Sequence, residues 1–335
     1  MRHAEIAELR AALLHSDPRA LGEGSRAALD RGIRDRRLHR VRRGAYLPMP
    51  LWDALWAESK HRAHVVAVAA AAHGTSPVFS HESAAVLHGL PLWRMSPSRV
   101  HVLIGSVDRH SVPDLLRHEG ALPDDDIVER DGMRFTSLER TVYDVARTFP
   151  AESALAAADA AAAQRGGDPR AFREELAQAW IEQLRRRVDA APGARGIRQA
   201  RAVVDMVDGR AQLPLESVTR LHLARLGFAR PRVQVPIRAP LGGTYWVDIG
   251  LDDVGAFIEV DGRTKYTDET LRAGSSLEDV LLAEKQREDW IRGTTGSRLA
   301  RVSDEHVTSA SALGRRLAAF HILPPTHPVW RDRAR

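Results

Sequence analysis

Hydrophobic and polar positions alternate most regularly between Tyr245 and Val260. Two β-rich runs, Tyr245 to Leu251 and Ala256 to Val260, flank Asp252-Asp253-Val254-Gly255, and this spacing predicts a β-hairpin. Upstream the period changes from two to that of a helix. Pro214 opens a predicted helix through Leu226, with Leu215, Val218, Leu221, Leu223 and Leu226 on its apolar face and Gly227 closing it. A strand fits Arg232 to Ile237. After the hairpin the pattern predicts a long helix over Leu277–Arg292, a strand over Arg298–Val302 and a terminal helix over Val307–Phe320.

At the other end of the chain, Ile6, Leu9, Leu13 and Leu14 recur at helical spacing. A second helix fits Ser25 to Arg34, with Ser25 as N-cap and Leu29 and Ile33 facing inward. In Arg36 to Pro48, Leu38, Val41 and Tyr46 alternate with arginines around Gly44, which predicts a hairpin. Helix, helix, basic hairpin is the order of a winged helix-turn-helix, here residues 1–48. Residues 49–148 predict a small α/β domain. In it Ser80 opens a helix that ends at Gly89-Leu-Pro, and Val100–Ile104 forms a strand. His81 and Glu82 read as capping and surface residues, so this domain is expected to carry no chemistry. Residues 149–211 form an Ala/Arg-rich helical connector (Ala154–Ala163, Phe172–Val188, Gly196–Val207), broken at Gly166-Gly167 and Ala191-Pro-Gly-Ala. Residues 212–325 make a last α/β domain. The fold class expected is α+β.

Composition narrows the function. The 335 residues include no cysteine, which excludes disulfides, zinc-thiolate sites and a thiol nucleophile. The charged N-terminus lacks a signal-peptide core, and the longest apolar run, Val65 to Ala72, is too short to span a bilayer. The expectation is a soluble cytoplasmic protein with no membrane partner. The net charge of +5 and a pI near 10 favour a polyanionic partner. The basic hairpin supplies candidate phosphate contacts at Arg34, Arg36, Arg37, Arg40, Arg42 and Arg43, with the preceding helix in the DNA major groove.

The hairpin at 245–260 carries the candidate chemistry. Side chains alternate along a strand, so Glu259 and Asp261 share a face that Asp248 on the partner strand can meet. Carboxylates crowded on adjacent strands repel unless a cation relieves them. An oxygen-only cluster of this kind suits Mg²⁺ or Mn²⁺, and with a nearby lysine it has the parts for metal-assisted phosphodiester hydrolysis. Lys60, Lys265 and Lys285 are the only lysines in a chain whose usual cation is arginine, and two of them follow the hairpin.

Two resemblances sharpen these expectations. Arg36, Leu38, Val41, Arg43, Gly44 and Tyr46, then Phe79-Ser-His-Glu-Ser-Ala-Ala-Val-Leu-His-Gly-Leu-Pro91, Val100–Ile104 and Thr136–Ala146 resemble the abortive-infection type IV antitoxin family (AbiEi-like) over about residues 10–148. Pro214-Leu-Glu-Ser, Tyr245-Trp-Val-Asp-Ile, Ile258-Glu-Val-Asp-Gly-Arg-Thr-Lys-Tyr266 and Glu284-Lys-Gln-Arg-Glu-Asp-Trp-Ile-Arg292 look like the Vsr-like branch of the PD-(D/E)xK nucleases over about residues 212–322. The second resemblance implies roles. Asp248 is the central metal ligand, Glu259 the second acid and the Val260 carbonyl a further ligand, while Glu216 orients metal-bound water. The family's lysine position is occupied by Asp261, so Lys265 is expected to take that role, with Lys285 in reserve. Together they imply a Mg²⁺- or Mn²⁺-dependent DNA endonuclease. The alternative is an antitoxin-like transcriptional repressor with a silent nuclease fold and a cognate toxin protein as a further partner.

Overall fold

The computed structural model describes residues 3–15, 23–72, 77–104, 113–168, 171–261 and 277–325. The protein is α+β, with twelve α-helices and three sheets among the described residues. It divides into two compact units, Met1–Phe149 and Pro150–Arg335. Among the described residues no helix is long and apolar enough to cross a membrane.

The first unit opens with α1 (Ile6–Ala12), β1 (Leu14–His15) and α2 (Glu23–Arg34). β2 (Leu38–Arg42) and β3 (Ala45–Pro48) form the basic hairpin, and β1 adds to β3, giving the order β1-β3-β2. Gly44 turns the hairpin at φ +81°, a left-handed conformation that glycine adopts without steric cost. Val41 and Tyr46 are buried, as their alternation predicts. α2 begins at Glu23, so Ser25 lies inside the helix and is not its cap. α3 (Met49–Ala54) and α4 (Ala57–Ala70) follow, with α4 packed on α1 and β2.

The remainder of this unit holds β4 (Val78–Phe79), α5 (His81–Leu87), β5 (Val100–Ile104), β6 (Leu115–Glu119), β7 (Ile127–Arg130), β8 (Met133–Thr136) and α6 (Leu138–Thr148). Its sheet runs β6-β5-β4-β8-β7. β5 pairs parallel to β6, with His101 opposite Leu116 and Leu103 opposite His118. This register places His101 and His118 on one face of the sheet.

The second unit begins with α7 (Ala151–Gly166), α8 (Glu174–Asp189), α9 (Ile197–Met206) and α10 (Pro214–Leu226). The alanine-rich segment packs as a core layer: α7 contacts α8, α9 and α10. Alanine makes this possible, because small side chains let backbones approach. Gly209 lies so close that an added Cβ would stand 2.9 Å from the Ala162 carbonyl carbon. Buried Arg220 of α10 pairs with buried Asp159 of α7 at 2.7 Å and also reaches the Met206 carbonyl.

A four-stranded sheet follows, from β9 (Arg232–Arg238), β10 (Thr244–Leu251), β11 (Ala256–Asp261) and β12 (Arg298–Ser303), in the order β12-β11-β10-β9. β9, β10 and β11 are antiparallel neighbours, and β12 runs parallel to β11. α11 (Leu277–Thr295) buries Ile291 against Val235, Val247, Phe257 and Leu299. The last helix, α12 (Ala310–Ala318), starts later than Val307. Ser309 sets its start by accepting the Ala312 N–H at 3.1 Å.

Candidate functional site

The hairpin register ends with Ile249 paired to Ile258, and Asp248 and Glu259 follow directly beyond that last pair. Both carboxylates are buried, at 8% and 5% exposure, and Glu216 on α10 is 2% exposed. Carboxylates are seldom buried unless something holds them, and each has an identifiable holder. The Val260 N–H donates to Asp248 Oδ2 at 2.7 Å. Glu216 Oε2 accepts the Gln212 N–H at 3.0 Å. Gln234 of β9 joins the two, its Nε2 lying 3.4 Å from Asp248 Oδ1 and 3.5 Å from Glu216 Oε2. Its backbone sits at φ +52°, an uncommon conformation for a non-glycine residue and one that concentrates at functional sites.

Cations border this acidic group on the α11 side. Arg287 donates to Glu259 Oε1 at 2.8 Å and to the Trp246 carbonyl. Arg301, opposite Glu259 in β12, reaches Asp261 at 3.3 Å, Glu284 at 2.6 Å and Glu288 at 3.1 Å. Burial pushes the Glu259 carboxyl up to about 7. The Asp248 charge adds to that rise, and Arg287 and Arg301 oppose it. A strand carboxyl raised by burial and a like charge suits a divalent cation, which would favour its ionised form. The donors are all oxygen, the type hard cations select.

The structure thus brings Glu216, Asp248 and Glu259 together, with Val260 adjoining through its N–H. Asp261 lies at the edge, partly exposed and paired with Arg301. Lys285 is exposed on α11, and Lys265 lies outside the described residues. Gln234, Arg287 and Arg301 were not foreseen. Arg287 stood in the Glu284–Arg292 motif, but nothing in its local spacing indicates that it turns to Glu259.

In the first unit, Arg34 ends α2, Arg36 and Arg37 form the turn into β2, and Arg40 and Arg43 lie on the hairpin, all exposed. Arg36 adopts φ +54°, and Arg37 pairs locally with Asp35 at 2.9 Å. Arg42 differs from the others: it is half-buried and pairs with Asp114 at 3.1 Å.

The expectation that His81 and Glu82 are surface residues is corrected. Both are buried. Ser80 occupies the N-cap position of α5 but caps no backbone N–H with its side chain; its hydroxyl pairs with His81 Nδ1 at 3.0 Å. α5 is packed on β5, so its first turn faces the sheet and not the solvent. Burial, adjacent imidazoles, and Arg140 and Arg147 hold His81 well below 6.5.

No family model matches the chain. It is similar to two proteins of Mycobacterium tuberculosis, the uncharacterized protein MT2308 of strain CDC 1551 and the uncharacterized protein Rv2248 of strain H37Rv. Each is 34% identical over 114 residues, 34% of this chain and 38% of the relative. The similarity thus spans well under half of the relatives it matches.

Proposed function

We propose that the second unit is a metal-dependent endonuclease acting on DNA, and that the winged segment of the first unit binds the duplex. One observation carries this: Glu216, Asp248 and Glu259 are all buried, with Gln234 bridging Asp248 to Glu216 and the Asp248 charge acting on Glu259. Asp248 and Glu259 would hold the ion, with the Val260 carbonyl as a further ligand. Mg²⁺ or Mn²⁺ bound there would supply an activated water and offset charge developing on the phosphodiester. Gln234 fixes the spacing of Asp248 and Glu216, and the Val260 N–H orients the Asp248 carboxylate. Glu216, anchored by the Gln212 N–H, would orient water. Lys265 is proposed to steady the attacking water or the developing charge. On the winged segment, exposed Arg34, Arg36, Arg37, Arg40 and Arg43 would engage phosphates.

Supercoiled plasmid with Mg²⁺ or Mn²⁺ is the discriminating substrate. Wild-type protein should nick it and Asp248→Ala should not; equal absence of nicking in both sinks the enzymatic reading.

Arg287 supports a second reading. Its guanidinium already occupies Glu259 at 2.8 Å, and the lysine expected two residues after the second acid is Asp261. On this reading the nuclease fold is silent and the protein is an antitoxin-like repressor. It then binds its own promoter without metal, and Arg40→Glu with Arg43→Glu abolishes that binding. Binding that survives both reversals with an unchanged salt slope contradicts it.

A further inference from the structure

Three imidazoles meet in the first unit, far from one another in sequence. His81 opens α5, and His101 and His118 stand on one face of β5 and β6. One ligating atom from each lies within 4.8 Å of the others. His118 Nε2 is 2.9 Å from His101 Nδ1. Glu82 Oε2 is 3.0 Å from the same Nδ1. That buried carboxylate oxygen receives no hydrogen bond of usable geometry. The His81 and His118 rings stack with centroids 3.8 Å apart and planes 19° from parallel, so one ring must turn about its side-chain bonds before both can ligate one ion.

We propose that His81, His101, His118 and Glu82 form a closed four-ligand site for a zinc-type divalent cation, pinning the start of α5 to the edge of its sheet. The spacing fits. Zn–N bonds of about 2.0–2.1 Å set the edge of a tetrahedron near ~3.4 Å. The His118–His101 and Glu82–His101 separations fall short of that edge by a few tenths of an ångström, an expansion that side-chain rotation supplies. The chemistry fits as well. Imidazoles with one carboxylate select Zn²⁺, Co²⁺, Ni²⁺ or Cu²⁺ over Mg²⁺ or Ca²⁺. Ligating histidines ordinarily engage a partner through the other ring nitrogen, and Ser80 already engages His81 Nδ1, leaving Nε2 to ligate. The Glu82 oxygen adds a second sign: it is buried 3.0 Å from His101 Nδ1 yet makes no well-aligned hydrogen bond, and a bound cation would offset its charge. Arg140, a cation acting on His81, is committed to Asp126 and Asp144, each at 3.0 Å. A cavity of about 330 Å³, lined by Glu82, His101, Pro97 and Arg99 among others, gives the ion a route in.

Cobalt titration of the untagged, chelator-stripped full chain tests this. Wild type should show the strong visible bands of one tetrahedral Co²⁺ per chain, and excess Zn²⁺ should displace that ion. His118→Gln, on the half-buried edge strand, and the near-isosteric Glu82→Gln should each weaken Zn²⁺ by more than the ~10–100-fold that loss of an outer-shell partner costs. Arg201→Gln, in the other unit, should leave the tetrahedral cobalt bands unchanged. Metal-free melting curves establish that the variants fold. Cobalt uptake as strong in both variants as in wild type overturns the site. So does a wild-type spectrum of the weak octahedral kind, a result that stands even if a variant fails to fold.

Discussion

Glu259 sits between an acid that raises its pKa and a guanidinium that lowers it, and single substitutions separate the two influences. Asp248→Asn removes a like charge while keeping an oxygen to accept the Val260 N–H, so the Glu259 pKa should fall from about 7. Arg287→Gln removes the opposing cation, and the pKa should rise further. Carboxyl-detected NMR titration reads both shifts, and shifts in the same direction would contradict this electrostatic assignment. Asp248→Ala has a second effect. It leaves the buried Val260 N–H without its acceptor, a loss of about 1–3 kcal/mol in urea denaturation that Asp248→Asn should largely avoid.

At the scale of elements, the layer of α7 and α10 rests on one buried ion pair and one close backbone approach. Asp159→Ala strands the Arg220 guanidinium in the interior and should cost about 3–5 kcal/mol by chemical denaturation. Gly209→Ala places a methyl against the Ala162 and Ala163 backbone, which cannot rotate away, and should cost about 1–3 kcal/mol. A Gly209→Ala variant as stable as wild type would contradict the close packing. Elements with local periodicity were legible in the sequence. The hairpin follows from strand alternation, α10 from its five apolar positions between Pro214 and Gly227, and the basic hairpin from arginines alternating with Leu38, Val41 and Tyr46. Asp248 and Glu259 were legible as neighbours because a tight turn fixes register. Gln234, Arg287 and Arg301 were not, because their partners depend on how β9, α11 and β12 dock. The alanine-rich helices looked like a mere connector because alanine carries little hydrophobic signal, although it permits close packing. His81, His101 and His118 share no local period, since they come from one helix and two strands.

For the whole molecule, the two units should respond to pH with opposite signs. Burial holds His61 down to about 3. Its contribution is fully present above its unfolded value near 6.5 and is lost as pH falls toward 3, by about 1.4 kcal/mol per pH unit. Glu259 behaves oppositely: its folded value is raised, so its contribution is present below about 4.5 and is lost as pH rises through about 7. Calorimetry from pH 5 to 7.5 should show His61→Gln flattening the acid-side loss and Glu259→Gln flattening the loss on the neutral side. Unchanged slopes would contradict the assigned burial. The central claim is that Asp248 and Glu259 together hold a divalent cation, and Mn²⁺ titration followed by electron paramagnetic resonance tests it most directly. Wild type should take up one Mn²⁺ that both Asp248→Asn and Glu259→Gln lose, while His118→Gln retains it. Equal Mn²⁺ uptake by wild type and Asp248→Asn would contradict it.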